Sequence, residues 1–243
     1  MQQQTRFGFQ KPTPVVTAMM VTFLSVWVLM AVVVGFFNGE SFFQFFVLDA
    51  AAVLNEGRVW TILTYALLHD LTSYFHMALN CLLLYFFGPE LERRWGRRRF
   101  ILFTVLTALA GGLFVVIGWF IGLAKGVVIG ASAICFGLLV AWGLTYKDRQ
   151  ILFFFVLPMR GIHMVWLSVA MAVLESISLG SVSAAAHFGG MAMGAMLTMG
   201  LWKTNAWRYW SDELLVRLKI KKKPKLTVVP PPASSRGPDK WVH

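Results

Sequence analysis

The sequence predicts an all-α polytopic membrane protein, a bundle of six transmembrane helices, on three observations. Hydrophobic residues make up 58% of its 243 residues and charged residues only 14%, with a mean hydropathy of +0.67. Soluble chains carry about a quarter charged residues, so an ordinary soluble domain is excluded. Apolar runs approaching the roughly 20 residues of a bilayer span recur along the chain. Lys and Arg gather on alternate connections between those runs, the asymmetry that fixes sidedness in a membrane.

The first span, residues 15–37, is too long for a cleavable signal peptide, and no small-residue cleavage site follows it. Residues 38–74 form a long connector. Its apolar piece SFFQFFVLDAAAVL is too short to cross and is expected to lie in the membrane interface or re-enter it. Spans two and three cover 75–93 and 100–122, with five arginines at their junction. Span four, 132–146, is short and is approached through Gly130. Span five is read as 159–177, starting near Pro158 and Arg160, although ILFFFVLP ahead of it is also apolar. Span six covers 184–202.

Of the 22 Lys and Arg residues, twenty fall on the tails and on the second and fourth connections; only Arg58 and Lys125 fall on the others. Both termini are therefore expected in the cytoplasm, with a 1–14 tail before the bundle of 15–202. No organelle-targeting segment is evident, so a cell's inner (plasma) membrane is the expected location.

This orientation brings four polar residues to similar depth beneath the outer surface. Ser132 opens span four, His187 lies about one turn into span six, and His76 and Asn80 lie one turn apart near the outer end of span two. An ionisable residue inside a membrane is costly and by default functional. Spans four and six also carry small-residue stripes, Ala133/Gly137/Ala141 and Ala186/Gly190/Gly194. Such stripes let helix backbones approach closely where lipid provides no hydrophobic drive. A close crossing there would put the Ser132 hydroxyl within reach of the His187 imidazole.

These residues resemble the rhomboid family of intramembrane serine proteases. The resemblance rests on GASA around Ser132, His76-Met-Ala-Leu-Asn80, and AHFGGMAMG around His187, in the family's order on spans two, four and six, and covers roughly residues 55–200. It implies a six-helix fold with Ser132 as nucleophile and His187 as general base. His76 and Asn80 are implied to stabilise the oxyanion beside the Ser132 backbone N–H, with Phe136 packing against the histidine. Trp60 matches the tryptophan of a first-loop Trp-Arg pair, and Glu92 and Gly96 match a structural Glu-xxx-Gly element. Two positions depart from the pattern. Ala133 replaces the usual glycine after the nucleophile, and Thr61 replaces the arginine after Trp60.

An imidazole base activates a serine hydroxyl near neutral pH. Soluble triads add a carboxylate that orients the histidine. No Asp or Glu lies in the outer half of spans two, four or six, and a Ser–His dyad without contact to Glu175 of span five is the economical expectation. The expected substrates are transmembrane helices of other proteins, cleaved near the outer face where Gly, Pro or polar residues ease unwinding. No cofactor or metal is called for. A protease-dead relative that binds membrane helices as a chaperone or scaffold is the alternative. A solute transporter is disfavoured by the absence of an inverted repeat and of an outer-half acid.

Among the remaining residues, His69 reads as a structural hydrogen-bond partner and His163 as interfacial. His243 is terminal and uninformative. Met191, Met193, Met196 and Met199 read as gap-fillers, and Cys81 and Cys135 as free buried thiols. Residues 203–223 read as a basic amphipathic helix on anionic lipid rather than a nucleic-acid site, and 224–243 as a disordered Pro/Ser-rich tail.

Overall fold

A computed structural model describes residues 11–153, 157–179 and 182–201. The basic segment and tail expected over 203–243 lie outside the described residues. Helix α1 (Pro14–Phe37) opens on a proline, whose fixed φ and missing N–H suit a first helical turn. It closes on Asn38 in the left-handed conformation. Short pieces fill the connector: α2 (Glu40–Gln44), strand β1 (Leu48–Asp49), α3 (Ala50–Asn55), α4 (Thr61–Thr64) and a 3-10 turn at Tyr65–Leu67.

Helices α5 (Tyr74–Trp95) and α6 (Arg97–Phe120) meet at Gly96, whose φ of +81° suits a residue without Cβ. Strand β2 (Val127–Val128) precedes α7 (Ser132–Thr145). Strands β3 (Gln150–Phe153) and β4 (Leu157–Arg160) then lead into α8 (Gly161–Leu179) and α9 (Val182–Met196), which runs on into a π-type turn at Leu197–Leu201.

Each of the six apolar segments is thus helical. Helices α1 and α6 are long and apolar enough by themselves to cross a membrane, whereas α7 and most of α8 are shorter apolar helices. Helix α1 buries Val16, Phe23 and Met30, seven residues apart, and exposes Val21, Leu24, Leu29 and Phe36. A helix apolar on every face, with only one stripe packed on protein, suits lipid on its outer side. Helix α7 is buried along nearly its whole length and touches α5, α6, α8 and α9.

Two antiparallel ladders depart from the all-α expectation. In the first, β1 pairs with β2, Leu48 opposite Val128. In the second, β3 pairs with β4, Gln150 opposite Arg160. The apolar run that left the start of span five open therefore belongs to a hairpin, and α8 begins only at Gly161. Aromatic and branched side chains suit the pleat, and Pro158 is tolerated in a two-stranded ladder because every strand there is an edge. Arg149 ties this region to the bundle through Glu90, 2.5 Å away, which also accepts from the Trp142 indole at 2.9 Å.

Glu92 is a buried carboxylate, 3% exposed, at the foot of α5. It accepts hydrogen bonds from the Thr13 hydroxyl and from the backbone N–H groups of Val15 and Val16 at 3.1 Å each. It therefore caps the positive end of α1 from another helix. Glu92→Ala would strand these donors, and the expected loss of stability is about 2–4 kcal/mol. A drop in thermal midpoint in detergent, with the Ser132 site still intact at lower temperature, checks this.

Candidate active site

Ser132 is the first residue of α7, so its N–H belongs to the set that a helix leaves without intrahelical partners. Several ties hold this helix start in place. The β1–β2 ladder anchors the incoming strand, and the Gly130 N–H donates to the Tyr65 carbonyl at 3.0 Å. Tyr65 is fully buried and donates its hydroxyl to the Ala108 carbonyl on α6 at 3.0 Å. The long connector thereby braces the approach to Ser132, which periodicity in the sequence did not reveal.

Gly130 has φ +112°, a region that L side chains rarely adopt. Its missing side chain also makes room for His76: a Cβ there would lie 2.6 Å from the His76 Cε1 atom. His76 thus packs directly on the segment entering α7.

The Ser132 Oγ lies 2.8 Å from His187 Nε2, joining α7 to α9. His187 is 6% exposed, and its ring stacks on Phe136 with centroids 4.1 Å apart and planes 12° from parallel. The helix crossing that allows this runs along the two small-residue stripes. A Cβ on Gly190 would overlap the Ala133 carbonyl, and one on Gly194 would lie 2.5 Å from the Gly137 oxygen. Ala133 is fully buried and still small enough for this approach.

Helix α6 supplies a second wall that the sequence reading missed. Gly189 sits over the Ala110 carbonyl, and a Cβ on Gly111 would lie 2.7 Å from the Ala133 Cβ and 3.0 Å from the Ala186 oxygen. The Ala110-Gly111-Gly112 run was the available signal. Helix α9 is held between α6 and α7, which fixes the height of His187.

Asn80 is 3% exposed and its side-chain amide bonds His69 Nε2 at 3.2 Å. Its backbone carbonyl meets the Cys135 thiol at 3.5 Å, so Asn80 abuts α7 within one turn of Ser132. His69 serves as the structural partner expected of it, fully buried between the rings of Phe23 and His76. Burial, reinforced by the neighbouring His76, pushes the His69 pKa down to about 4. The folded chain therefore holds His69 neutral, while the unfolded chain protonates it near pH 6.5. Its contribution to stability is complete above pH 6.5 and is lost as pH falls toward 4. The thermal midpoint is expected to fall over that window, and less steeply in His69→Gln.

Glu175 departs from expectation. Its Oε2 lies 2.8 Å from His187 Nδ1, with side chains 24% and 8% exposed respectively. The contact does not meet hydrogen-bond geometry, so the pair is a close polar contact rather than an aligned hydrogen bond. Helix α8 packs against the bundle along Met164, Ser168 and Ala172, all fully buried, after a close crossing of Gly143 and the Gly161 carbonyl at the other end of α7.

The other candidates stay apart from the cluster. His163 Nδ1 accepts from the Arg160 N–H at 3.2 Å, at the opposite end of α8 from Glu175. Met191 packs with Phe136 and Val140, whereas Met196 and Met199 are exposed, so the methionines form no common site. Thr61 is fully buried and donates to the Arg58 carbonyl at 2.7 Å, while Arg58 itself lies over the Phe45 ring. Trp60 donates its indole N–H to the Phe45 carbonyl at 2.7 Å. Both cysteines are free; Cys135 is buried and Cys81 only partly so.

A hydroxyl at hydrogen-bond distance from a restrained imidazole can pass its proton to that ring as it attacks a carbonyl. A helix N-terminus beside it offers backbone N–H donors and the positive end of the dipole to developing negative charge. The chain is similar to known proteins. The Rhomboid domain family model matches residues 56–204. A Saccharomyces cerevisiae protein, "Rhomboid protein 1, mitochondrial", is 31% identical over 133 residues, covering 51% of this chain and 37% of that relative's length.

Proposed function

The chain belongs to the rhomboid family, a family of membrane proteins, and from that premise we propose that it is a serine endopeptidase that cleaves transmembrane helices of other membrane proteins. The observation that carries this reading is the 2.8 Å approach of Ser132 Oγ to His187 Nε2. An inactive relative that only binds helices would need neither group, nor a ring stacked to restrain the imidazole.

In the proposed reaction the Ser132 Oγ attacks the carbonyl carbon of the scissile peptide, and its proton passes to His187 Nε2. The oxyanion is held by the Ser132 N–H together with His76 and Asn80; a single such donor is typically worth about 10²–10³-fold in rate. His187 then gives the proton to the leaving amine as the C–N bond breaks, leaving an acyl-enzyme ester. Water, deprotonated by the same imidazole, hydrolyses the ester and frees Ser132. Phe136 keeps the ring in plane, and Gly130 keeps His76 against the nucleophile's turn.

Six helices cross the membrane in this reading, with 1–14 and the C-terminal region cytoplasmic and the cluster just beneath the outer face. Water reaches it from that side, which suits the partial exposure of Ser132. A cell's inner membrane is the proposed location, and anionic lipid the partner of the basic 203–223 segment.

Purified protein reconstituted in lipid vesicles with a single-span reporter helix tests the proposal. Cleavage inside the reporter's membrane segment near its outer end, located by mass spectrometry, is the expected result. Reporter capture without a new terminus would favour the scaffold reading instead.

A further inference from the structure

We propose that Glu175 is a positioning residue for His187, completing a Ser132–His187–Glu175 relay rather than a bare dyad. This rests on the protease reading above. Three contacts converge on one ring: Ser132 Oγ at Nε2, Phe136 on its face, and Glu175 Oε2 at 2.8 Å from Nδ1.

Each contact comes from a different constraint on the imidazole. Stacking on Phe136 fixes the plane of the ring but not which nitrogen carries the proton. For Nε2 to receive the Ser132 proton, the neutral ring must carry its hydrogen on Nδ1. A carboxylate beside Nδ1 favours that tautomer and stabilises the imidazolium formed on proton transfer. The Nδ1 hydrogen stays on His187 throughout; Glu175 accepts a hydrogen bond and takes no proton.

Two further observations support the assignment. A carboxylate in a membrane-embedded helix is costly and is retained where it faces a polar interior and a partner. Nδ1 is also buried, with no aligned hydrogen-bond acceptor. The N···O separation is already that of a hydrogen bond, so alignment needs a change of angle rather than of distance. Substrate entering beside Ser132 would exclude water and tighten this contact, as catalytic hydrogen bonds commonly tighten in the substrate complex.

Glu175→Gln keeps size and polarity but removes the charge and offers the ring an amide. Assayed as the full chain in lipid vesicles on the reporter helix, it is expected to lower kcat about 10- to 100-fold with KM unchanged. Glu175→Asp, which keeps the carboxylate on a shorter arm, is expected to recover a substantial part of that loss. Equal kcat for Glu175→Gln and the unaltered protein overturns the proposal. So does a loss that appears in KM, or one that Glu175→Asp shares in full, because either marks a packing role. Should Glu175→Gln fail to fold, the Asp variant and Glu175→Ala decide by the same criterion, with a rank order of Glu, Asp, Ala in kcat required. Absence of cleavage by the unaltered chain is a separate outcome: it removes the protease reading, and this inference with it.

Discussion

Ser132→Ala is expected to reduce cleavage of a membrane-helix reporter by at least about a thousandfold, with reporter binding and thermal midpoint little changed. Oγ is the only atom this substitution removes, and it is the one that stands 2.8 Å from the imidazole. Because α7 is held by its ties to β1, Tyr65 and α9, losing the hydroxyl leaves the helix where it is. His187→Ala should cost a similar factor, since in the proposed mechanism nucleophile and base act as one unit. The double variant should then be no slower than either single one, because groups that act together are grossly non-additive. Additive losses, each of tenfold or so, would mean that the two side chains contribute independently and that their contact is structural. The measurement is the initial rate of product formation for all four proteins at one lipid-to-protein ratio.

Gly190→Ala is the second large effect, and it acts without touching a reacting atom. A Cβ at this position overlaps the Ala133 carbonyl, which belongs to the backbone of α7 and cannot rotate away. Helices α7 and α9 must separate, and Ser132 and His187 ride on those two helices. A displacement of about 1 Å in a catalytic constellation costs about a hundredfold in rate. Stability should fall as well, by about 1–3 kcal/mol, as expected for overpacking. Gly35→Ala is the control. Nothing lies within 4 Å of the Cβ it would add on α1, so neither activity nor midpoint should fall. A Gly190→Ala protein with unaltered cleavage would show that the close crossing does not set the site.

Much of this arrangement was legible in the chain because membrane helices announce themselves twice, by length of apolar run and by small residues at four-residue spacing. The stripe from Ala133 and the stripe from Ala186 fix a contact face on each helix, and the residues beside them, Ser132 and His187, then have to meet. The packing of Phe136 on the imidazole was implied by the family resemblance rather than by spacing. Glu175 was not legible. It lies on α8 one turn beyond Ser168 and Ala172, small residues at four-residue spacing that are fully buried, but so short a stripe does not by itself choose His187 as the neighbour. The β1–β2 ladder was hidden for a different reason. Two residue pairs, Leu48–Asp49 and Val127–Val128, lie far apart in sequence and are too short to show a periodicity. The β3–β4 hairpin shows a third limit: a short apolar run reads equally as strand or as helix start, and only its flanks decide.

Covalent labelling reads out the reactivity of Ser132 itself. Protein in detergent is treated with a fluorophosphonate, and the adduct is located by mass spectrometry. A single adduct on Ser132 is expected in the unaltered protein, with none in Ser132→Ala and strongly reduced labelling in His187→Ala. An adduct on another residue, or labelling of His187→Ala at the unaltered rate, would contradict it.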